Sequence, residues 1–170
     1  LVNQDIFLFA DSIFNNITLF NEKISKKEVE EAAKNIGVLE FINKLPGGLN
    51  YNVKERGVML SEGQRQIISF LRAYVSNPNI LILDEATSSI DSKTEELIQF
   101  ATNKLIQDKT SIIIAHRLST IISADKIIVM RSGKIIEIGS HSELITRKGY
   151  YKKLYEVQFE KKELFTEIFW

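Results

Sequence analysis

The chain contains no cysteine among its 170 residues, which excludes a disulfide framework and any thiolate metal site. It carries no excess charge either. The 22 Lys and Arg balance the 22 Asp and Glu, so the basic footprint of a nucleic-acid binder is missing. No run reaches the roughly 18 apolar residues of a membrane-spanning helix. Ile112-Ile113-Ile114-Ala115 and Ile127-Ile128-Val129-Met130 are only strand-sized. The opening Leu1-Val2-Asn3-Gln4 has no initiator methionine, charged n-region or cleavage site, so it does not read as a signal peptide. It reads as the middle of a strand, and the 170 residues are expected to belong to something longer. There is no internal repeat and no low-complexity linker. The 44% apolar content is enough for one ordinary core, so one domain is the starting expectation.

Helices dominate the first half. Asp11 to Thr18 suggests a short helix buried through Ile13, Phe14 and Ile17. Ser25-Lys26-Lys27-Glu28 is a capping-box pattern, and Val29, Ala32, Ala33 and Ile36 form a helical stripe that stops at Gly37. A further short helix over Val38 to Lys44 ends at Leu45-Pro46-Gly47-Gly48. Tyr51 to Gly57 reads as a polar loop, and a helix is expected from about Ser61 to Val75, closed by Ser76-Asn77-Pro78-Asn79. The texture then changes. Ile80 to Leu83 and Thr110 to Ala115 are near-continuous apolar strands flanking a helix that Ser92 caps and that runs to about Gln107. Such strands imply a parallel sheet covered on both faces. Lys126 to Met130 and Lys134 to Ile138 read as an antiparallel hairpin, and Ser140-His141-Ser142-Glu143 caps a long C-terminal helix.

Two segments carry chemistry. Leu60-Ser61-Glu62-Gly63-Gln64-Arg65-Gln66 opens a helix, where a hydroxyl and bare backbone N–H groups can face an anion. Gly63 has no Cβ, so backbone can approach phosphate closely, and the Ser61 hydroxyl can donate. The competing reading is an ordinary N-capped helix, which any Ser-x-x-Gln could make. In the second segment, the apolar strand Ile80 to Leu83 runs into Asp84-Glu85. That pair places one carboxylate for a metal ion and the next for an attacking water.

With Gln4 upstream and His116 downstream, these segments resemble the nucleotide-binding domain of an exporter-type ABC transporter. The match runs from Gln4 to about Leu144 with the motifs in family order. The resemblance implies an α/β fold. It is part of a P-loop NTPase (RecA-like) parallel sheet with the attached ABC α-helical subdomain and a C-terminal hairpin and helix. The helical subdomain would span about 5–75, the RecA-like half about 76–145 and a helical tail 146–170. Asp84 then matches the Walker B aspartate that orders Mg²⁺, and Glu85 the catalytic glutamate that polarises water. His116 matches the switch histidine at the γ-phosphate. Gln4 opens the Q-loop and would reach the metal or its water, while Phe7-Leu8-Phe9 after it would meet the membrane domains. Ser61, Gly63 and Gln64 stand in the signature, here Leu-Ser-Glu-Gly-Gln where the family has Leu-Ser-Gly-Gly-Gln. Glu62 is expected to point away from phosphate. Asp91 closes the D-loop, Ser88-Ser89-Ile90-Asp91. Glu55-Arg56-Gly57 resembles the exporter X-loop and favours an exporter over DNA-repair or chromosome-associated relatives.

By the same resemblance the cofactors are ATP and Mg²⁺. The partners are a second nucleotide-binding domain, in a homo- or heterodimer, and the transmembrane domains of an exporter. No nucleic acid is involved. The place is the cytoplasmic face of the cell (inner) membrane, and membrane contact is made through those domains. One part is missing. Of the eight glycines only Gly133 precedes a lysine, with Ile128 where the first glycine of G-x-x-x-x-G-K-[ST] belongs. Without a P-loop these residues are expected not to hydrolyse ATP alone, while still offering a γ-phosphate clamp to another subunit. The alternative is a truncated, non-catalytic partner that supplies only this half-site in trans. Apolar strand surface around Ile82 and Ile113 is expected to be exposed. The aromatic tail, from Tyr150 to Trp170, suits either docking on its own domain or a dimer or interfacial contact.

Overall fold

The structure, a computed structural model, describes residues 1–84, 91–115 and 118–157, with only the backbone at 118–119. The positions beyond 157, including Phe159, Phe165 and Trp170 of the aromatic tail, lie outside the described residues. The chain packs as two units that divide between Ile114 and Ala115.

In the first unit, helices α1 (Ile13–Thr18), α2 (Lys26–Asn35), α3 (Leu39–Lys44) and α4 (Glu62–Ser76) precede β1 (Ile80–Asp84), α5 (Ser92–Ile106) and β2 (Thr110–Ile114). Short 3₁₀ turns occupy Gly48–Asn50 and Glu55–Gly57. The helix starts follow local chemistry. Ser12 Oγ accepts the Asn15 N–H at 3.1 Å, and Ser25 with Glu28 completes the expected capping box. At α5 the cap is Asp91 rather than Ser92: Asp91 has extended backbone and its Oδ1 accepts the Thr94 N–H at 3.0 Å.

Helix α4 is the centre of this unit and packs against α1, α2 and α5. Its Ile67, Ile68, Phe70 and Leu71 are all buried. Each such side chain contributes about 1.5–3 kcal/mol on removal from water. Leu81, Leu83, Ile98, Ala101 and Leu105 from the β1–α5–β2 stretch join the same core.

Strands β1 and β2 run parallel, from Ile80↔Thr110 to Asp84↔Ile114. Val2 extends the ladder on the other side of β1. Its N–H donates to the Ile82 carbonyl at 2.8 Å, and its carbonyl accepts the Asp84 N–H at 2.9 Å. Among the described residues of this unit, one face of the sheet is covered. Leu81 and Leu83 turn into the core with Ile113 packed beside them, while Ile112 and Ile114 are 55% and 52% exposed and Ile80 and Ile82 are exposed as well. Exposure was expected at Ile82 and Ile113. The period of two places Ile113 on the covered face and its neighbours on the open one.

The second unit holds α6 (Leu118–Ile121), the antiparallel hairpin β3 (Ile127–Arg131) and β4 (Lys134–Gly139), α7 (His141–Arg147) and a helix over 150–157. The hairpin loop Ser132-Gly133 has φ of 49° and 73° at its two residues, the geometry of a type I′ turn. Ile127, Val129, Leu144 and Tyr151 form the core. The expected single C-terminal helix is broken at Lys148, where φ is 55°. Glu137 then accepts the N–H groups of Tyr150 and Tyr151 at 3.0 and 2.7 Å and starts a new helix. His141 has a structural partner: its Nδ1 lies 2.8 Å from the Tyr151 hydroxyl.

Candidate functional site

The parallel ladder brings two candidate residues to one end. Strand β1 finishes at Asp84, whose backbone N–H is held by Val2, and Gln4 follows Val2 by two positions. The crevice beyond the carboxyl ends of parallel strands is where open α/β sheets bind ligands. Glu85 and His116, the expected catalytic pair, come directly after this edge in the sequence and lie outside the described residues.

A small void of about 10 Å³ beside Asp84 is also lined by Val2, Gln66, Phe70, Leu83 and Thr102. Gln66 Oε1 is buried there without a hydrogen-bond partner among the described residues.

At the start of α4 the capping box is complete. Ser61 Oγ accepts the Gln64 N–H at 3.3 Å, and Gln64 Oε1 accepts the Ser61 N–H at 3.0 Å. This is the ordinary capping reading; it uses the backbone N–H groups of Ser61 and Gln64 and, from the side chains, only acceptor atoms. The Ser61 hydroxyl proton is still a donor, as is the Gln64 side-chain amide. The amides of Glu62 and Gly63, at the first two helical positions, have no intrahelical acceptor. They lie at the positive end of a 15-residue helix, where Glu62 is half-buried and Gly63 buried. Capping and anion binding therefore use different atoms of the same residues.

The Gln4–Phe9 segment and the Glu55–Gly57 turn meet. A cleft of about 620 Å³ is lined by Gln4, Phe7, Arg56, Val58, Glu62 and Arg65, among others. Glu62, expected to point away from phosphate, thus belongs to a cleft that Ser61 and Gly63 do not line. Leu8 is fully buried under Gly57, whose φ is 69°. A Cβ on Gly57 would sit 2.7 Å from Leu8 Cδ1. Phe7 and Phe9 are 57% and 41% exposed and stack edge-on at 5.1 Å, with Phe20 5.6 Å from Phe9. These rings form a surface cluster, while Leu8 does the packing.

Asp91 is exposed, and its Oδ1 is engaged in capping α5. Hydrogen bonds from Thr94, side chain first and then backbone, hold its carboxyl below the usual aspartate value. It remains charged at neutral pH.

Among the described residues no cluster of three or more His, Cys, Asp and Glu could hold a metal by itself. The Asp84 carboxylate and the Gln4 amide oxygen nevertheless suit Mg²⁺. That ion takes oxygen donors and is usually bound through one or two carboxylates, with phosphate and water completing the shell. Two residues escaped the sequence reading altogether, Asn16 and Arg72. Asn16 is a buried polar side chain, and Arg72 interrupts the apolar face of α4. That interruption is the one signal the sequence offered.

The ABC transporter family profile matches residues 1–88. A Staphylococcus aureus (strain NCTC 8325 / PS 47) protein named for multidrug export as an ATP-binding/permease protein is 49% identical over 93% of this chain and 27% of its own length. YheH of Bacillus subtilis (strain 168), named as a multidrug resistance ABC transporter ATP-binding/permease protein, is 45% identical over 93% of this chain and 24% of its own. Among solved structures, a bacterial Atm1-family ABC exporter with ATP bound superposes with a TM-score of 0.81. It is 41% identical and covers 92% of this chain and 27% of that one. The chain thus spans about a quarter of the length of these relatives. With the signature turn, the Asp84 edge and the shared fold in agreement, the chain belongs to the ABC transporter family.

Proposed function

We propose that these residues are part of an ATP-hydrolysing motor domain of an exporter-type transporter, at the cytoplasmic face of the inner membrane. In this reading Asp84, with Gln4, holds Mg²⁺. Glu85 polarises the attacking water, and His116 contacts the terminal phosphate. Ser61, Gly63 and Gln64 grip the terminal phosphate of a nucleotide seated on a second nucleotide-binding domain, and Asp91 lies at that interface. When bound, Mg²⁺ and ATP supply the phosphoryl chemistry; the chain supplies donors, a carboxylate edge and a base. The exposed Phe7 and Phe9 rings and the cleft beside them suit docking by the transporter's membrane-embedded part. Among the described residues no helix is long and apolar enough to cross a membrane. The functional subdivision at about residue 75, helical before it and RecA-like after it, and the helical tail over 146–170 belong to this proposal. Multidrug export is stated in the names of the S. aureus and B. subtilis relatives; for this protein it is the cargo class to test first.

What supports the reading is that Asp84 ends β1 while the neighbouring parallel segment, bonded through Val2, leads two residues on into Gln4. The test is phosphate release with MgATP from the protein at its natural length. Glu85→Gln should lower turnover by about 10²–10⁴-fold, the usual worth of a positioned general base. Turnover within threefold of the unmodified protein would sink the assignment. The 170 residues taken alone contain no P-loop, so no MgATP turnover is expected of them.

A further inference from the structure

We infer that Asn16 and Arg72 form a latch that fixes the Gln4–Phe9 segment to α4, making both of them positioning residues for the proposed site. The inference rests on the functional reading above and adds residues that it does not contain.

Asn16 is completely buried, and its amide is spent on backbone. Oδ1 accepts the Phe9 N–H at 2.8 Å, and Nδ2 donates to the carbonyls of Phe9 and Ser12, both at 3.0 Å. A carboxamide can pair with the N–H and the carbonyl of one residue together, as a neighbouring strand would. Aspartate, when ionised, offers acceptors alone. Asn16 therefore stands in for a missing strand beside Phe9.

Arg72 closes the other side. Its Nε–H donates to the Asn16 carbonyl at 2.9 Å and its Nη2 to the Phe7 carbonyl at 3.3 Å. The Asn16 carbonyl belongs to the last turn of a six-residue helix and has no intrahelical donor in helical register. Among the described residues no carboxylate pairs with Arg72, and burial pushes its pKa down. An uncompensated guanidinium is a costly way to fill space. What it gains is a planar fork that joins two segments 56 and 65 positions away in sequence.

The bonds fall on Phe7 and Phe9, on either side of buried Leu8, and leave both phenyl rings at the surface. The backbone of the segment is thereby tied to the helix whose first turn carries Ser61 and Gly63. A load on the two rings is carried to α4 through fixed hydrogen bonds. Gln4, at the head of the same segment, is held in a constant relation to that helix.

The experiment uses the protein at its natural length, with Asn16→Ala and Arg72→Lys. Amide hydrogen exchange across residues 5–10 is read beside kcat and KM for MgATP, well below the melting temperature. Exchange at Phe9 should quicken at least tenfold in Asn16→Ala, and kcat should fall about tenfold or more in both variants with KM little changed. A merely structural role would lower the melting temperature and leave kcat intact, and that result overturns the proposal. Unchanged exchange in the segment overturns it too. Arg72→Lys keeps the stem and the charge, so it carries both measurements if Asn16→Ala does not fold. Should the unmodified protein show no MgATP turnover, the functional reading fails, and the exchange data still decide whether the latch exists.

Discussion

Replacing Gly57 by alanine tests how the X-loop-like turn is held to the Gln4–Phe9 segment. Gly57 has a φ of 69°, a region where an L-residue is disfavoured by about 1–2 kcal/mol. Its added Cβ would also lie 2.7 Å from Leu8 Cδ1 and 3.2 Å from Arg65 Cδ. Arg65 is partly buried and can shift, but Leu8 is fully buried and has nowhere to retreat. Overpacking of that kind adds about 1–3 kcal/mol. The expected loss is then about 2–5 kcal/mol, a large part of the ~5–15 kcal/mol that a domain possesses. Urea unfolding followed by far-ultraviolet circular dichroism reads it as a shift in midpoint at constant slope. Gly57→Asn separates the two causes, because asparagine tolerates the left-handed region yet still carries a Cβ. Adding Leu8→Ala to Gly57→Ala should give a total below the sum of the single losses, with a coupling of about 1–3 kcal/mol. A loss under about 1 kcal/mol for Gly57→Ala, or strict additivity with Leu8→Ala, would show that the turn and the segment are not in contact as described.

Two further outcomes are expected. Gln66→Met removes a buried carbonyl oxygen that has no partner among the described residues, so it should be neutral or stabilising by about 1 kcal/mol in the same urea assay, whereas a clear loss would mean that the oxygen is satisfied in solution. The carboxyls of Asp11, Glu28, Asp91 and Glu143 are held below their ordinary values of 3.8 for Asp and 4.5 for Glu. The main causes are the backbone N–H groups of Ser12, Ser25 and Ser140 for Asp11, Glu28 and Glu143, and the Thr94 side chain for Asp91. A depressed folded-state value means stability that is complete above the unfolded value and lost as pH falls through the folded one. The melting temperature should accordingly be level above about pH 5 and decline below it; a higher value in the acid range would contradict the assignment.

What the sequence made legible was local. The capping boxes at Ser25 and Ser140 form as read, and the one at Ser61, given as the competing reading of that segment, forms too, because an N-cap and its third helical residue meet within one turn. The Asp91–Ser92 choice went the other way for an equally local reason. Both residue types cap well, and only the extended backbone at Asp91 decides between them. The break at Lys148 was not legible, since Glu137, on the preceding hairpin, supplies the acceptors that start the next helix. Exposed strand surface was legible at Ile82, but not which residues of β2 share it. An unbroken apolar run such as Ile112-Ile113-Ile114 has no alternation to say which side is covered. Arg72 bonds to backbone 56 and 65 positions away, which its interruption of the apolar face of α4 does not reveal, and Asn16 bonds within its own turn and to Phe9 seven residues back without any periodic trace.

The two readings of Ser61 show where sequence reasoning asked the wrong question. It posed helix capping and phosphate binding as rivals, with one to be chosen. Yet the cap occupies a lone pair on Ser61 Oγ and the carbonyl oxygen of Gln64, both acceptors. Under the proposed function phosphate would need donors, and those left by the cap are the Ser61 proton, the Gln64 side-chain amide and the backbone amides of Glu62 and Gly63. The cap fixes the hydroxyl oxygen relative to the helix axis, and so sets where its proton can be offered. Removing the cap would therefore misplace the donor as well as weaken the helix, and Ser61→Ala would lose both together. A variant that restores capping without a donor is needed to separate them. Ser61→Asp is such a change: its carboxylate still accepts the Gln64 N–H, but it has no proton to give and repels an anion. Helix stability should survive in Ser61→Asp while any phosphate interaction disappears, and equal loss of both would mean that the hydroxyl proton plays no part.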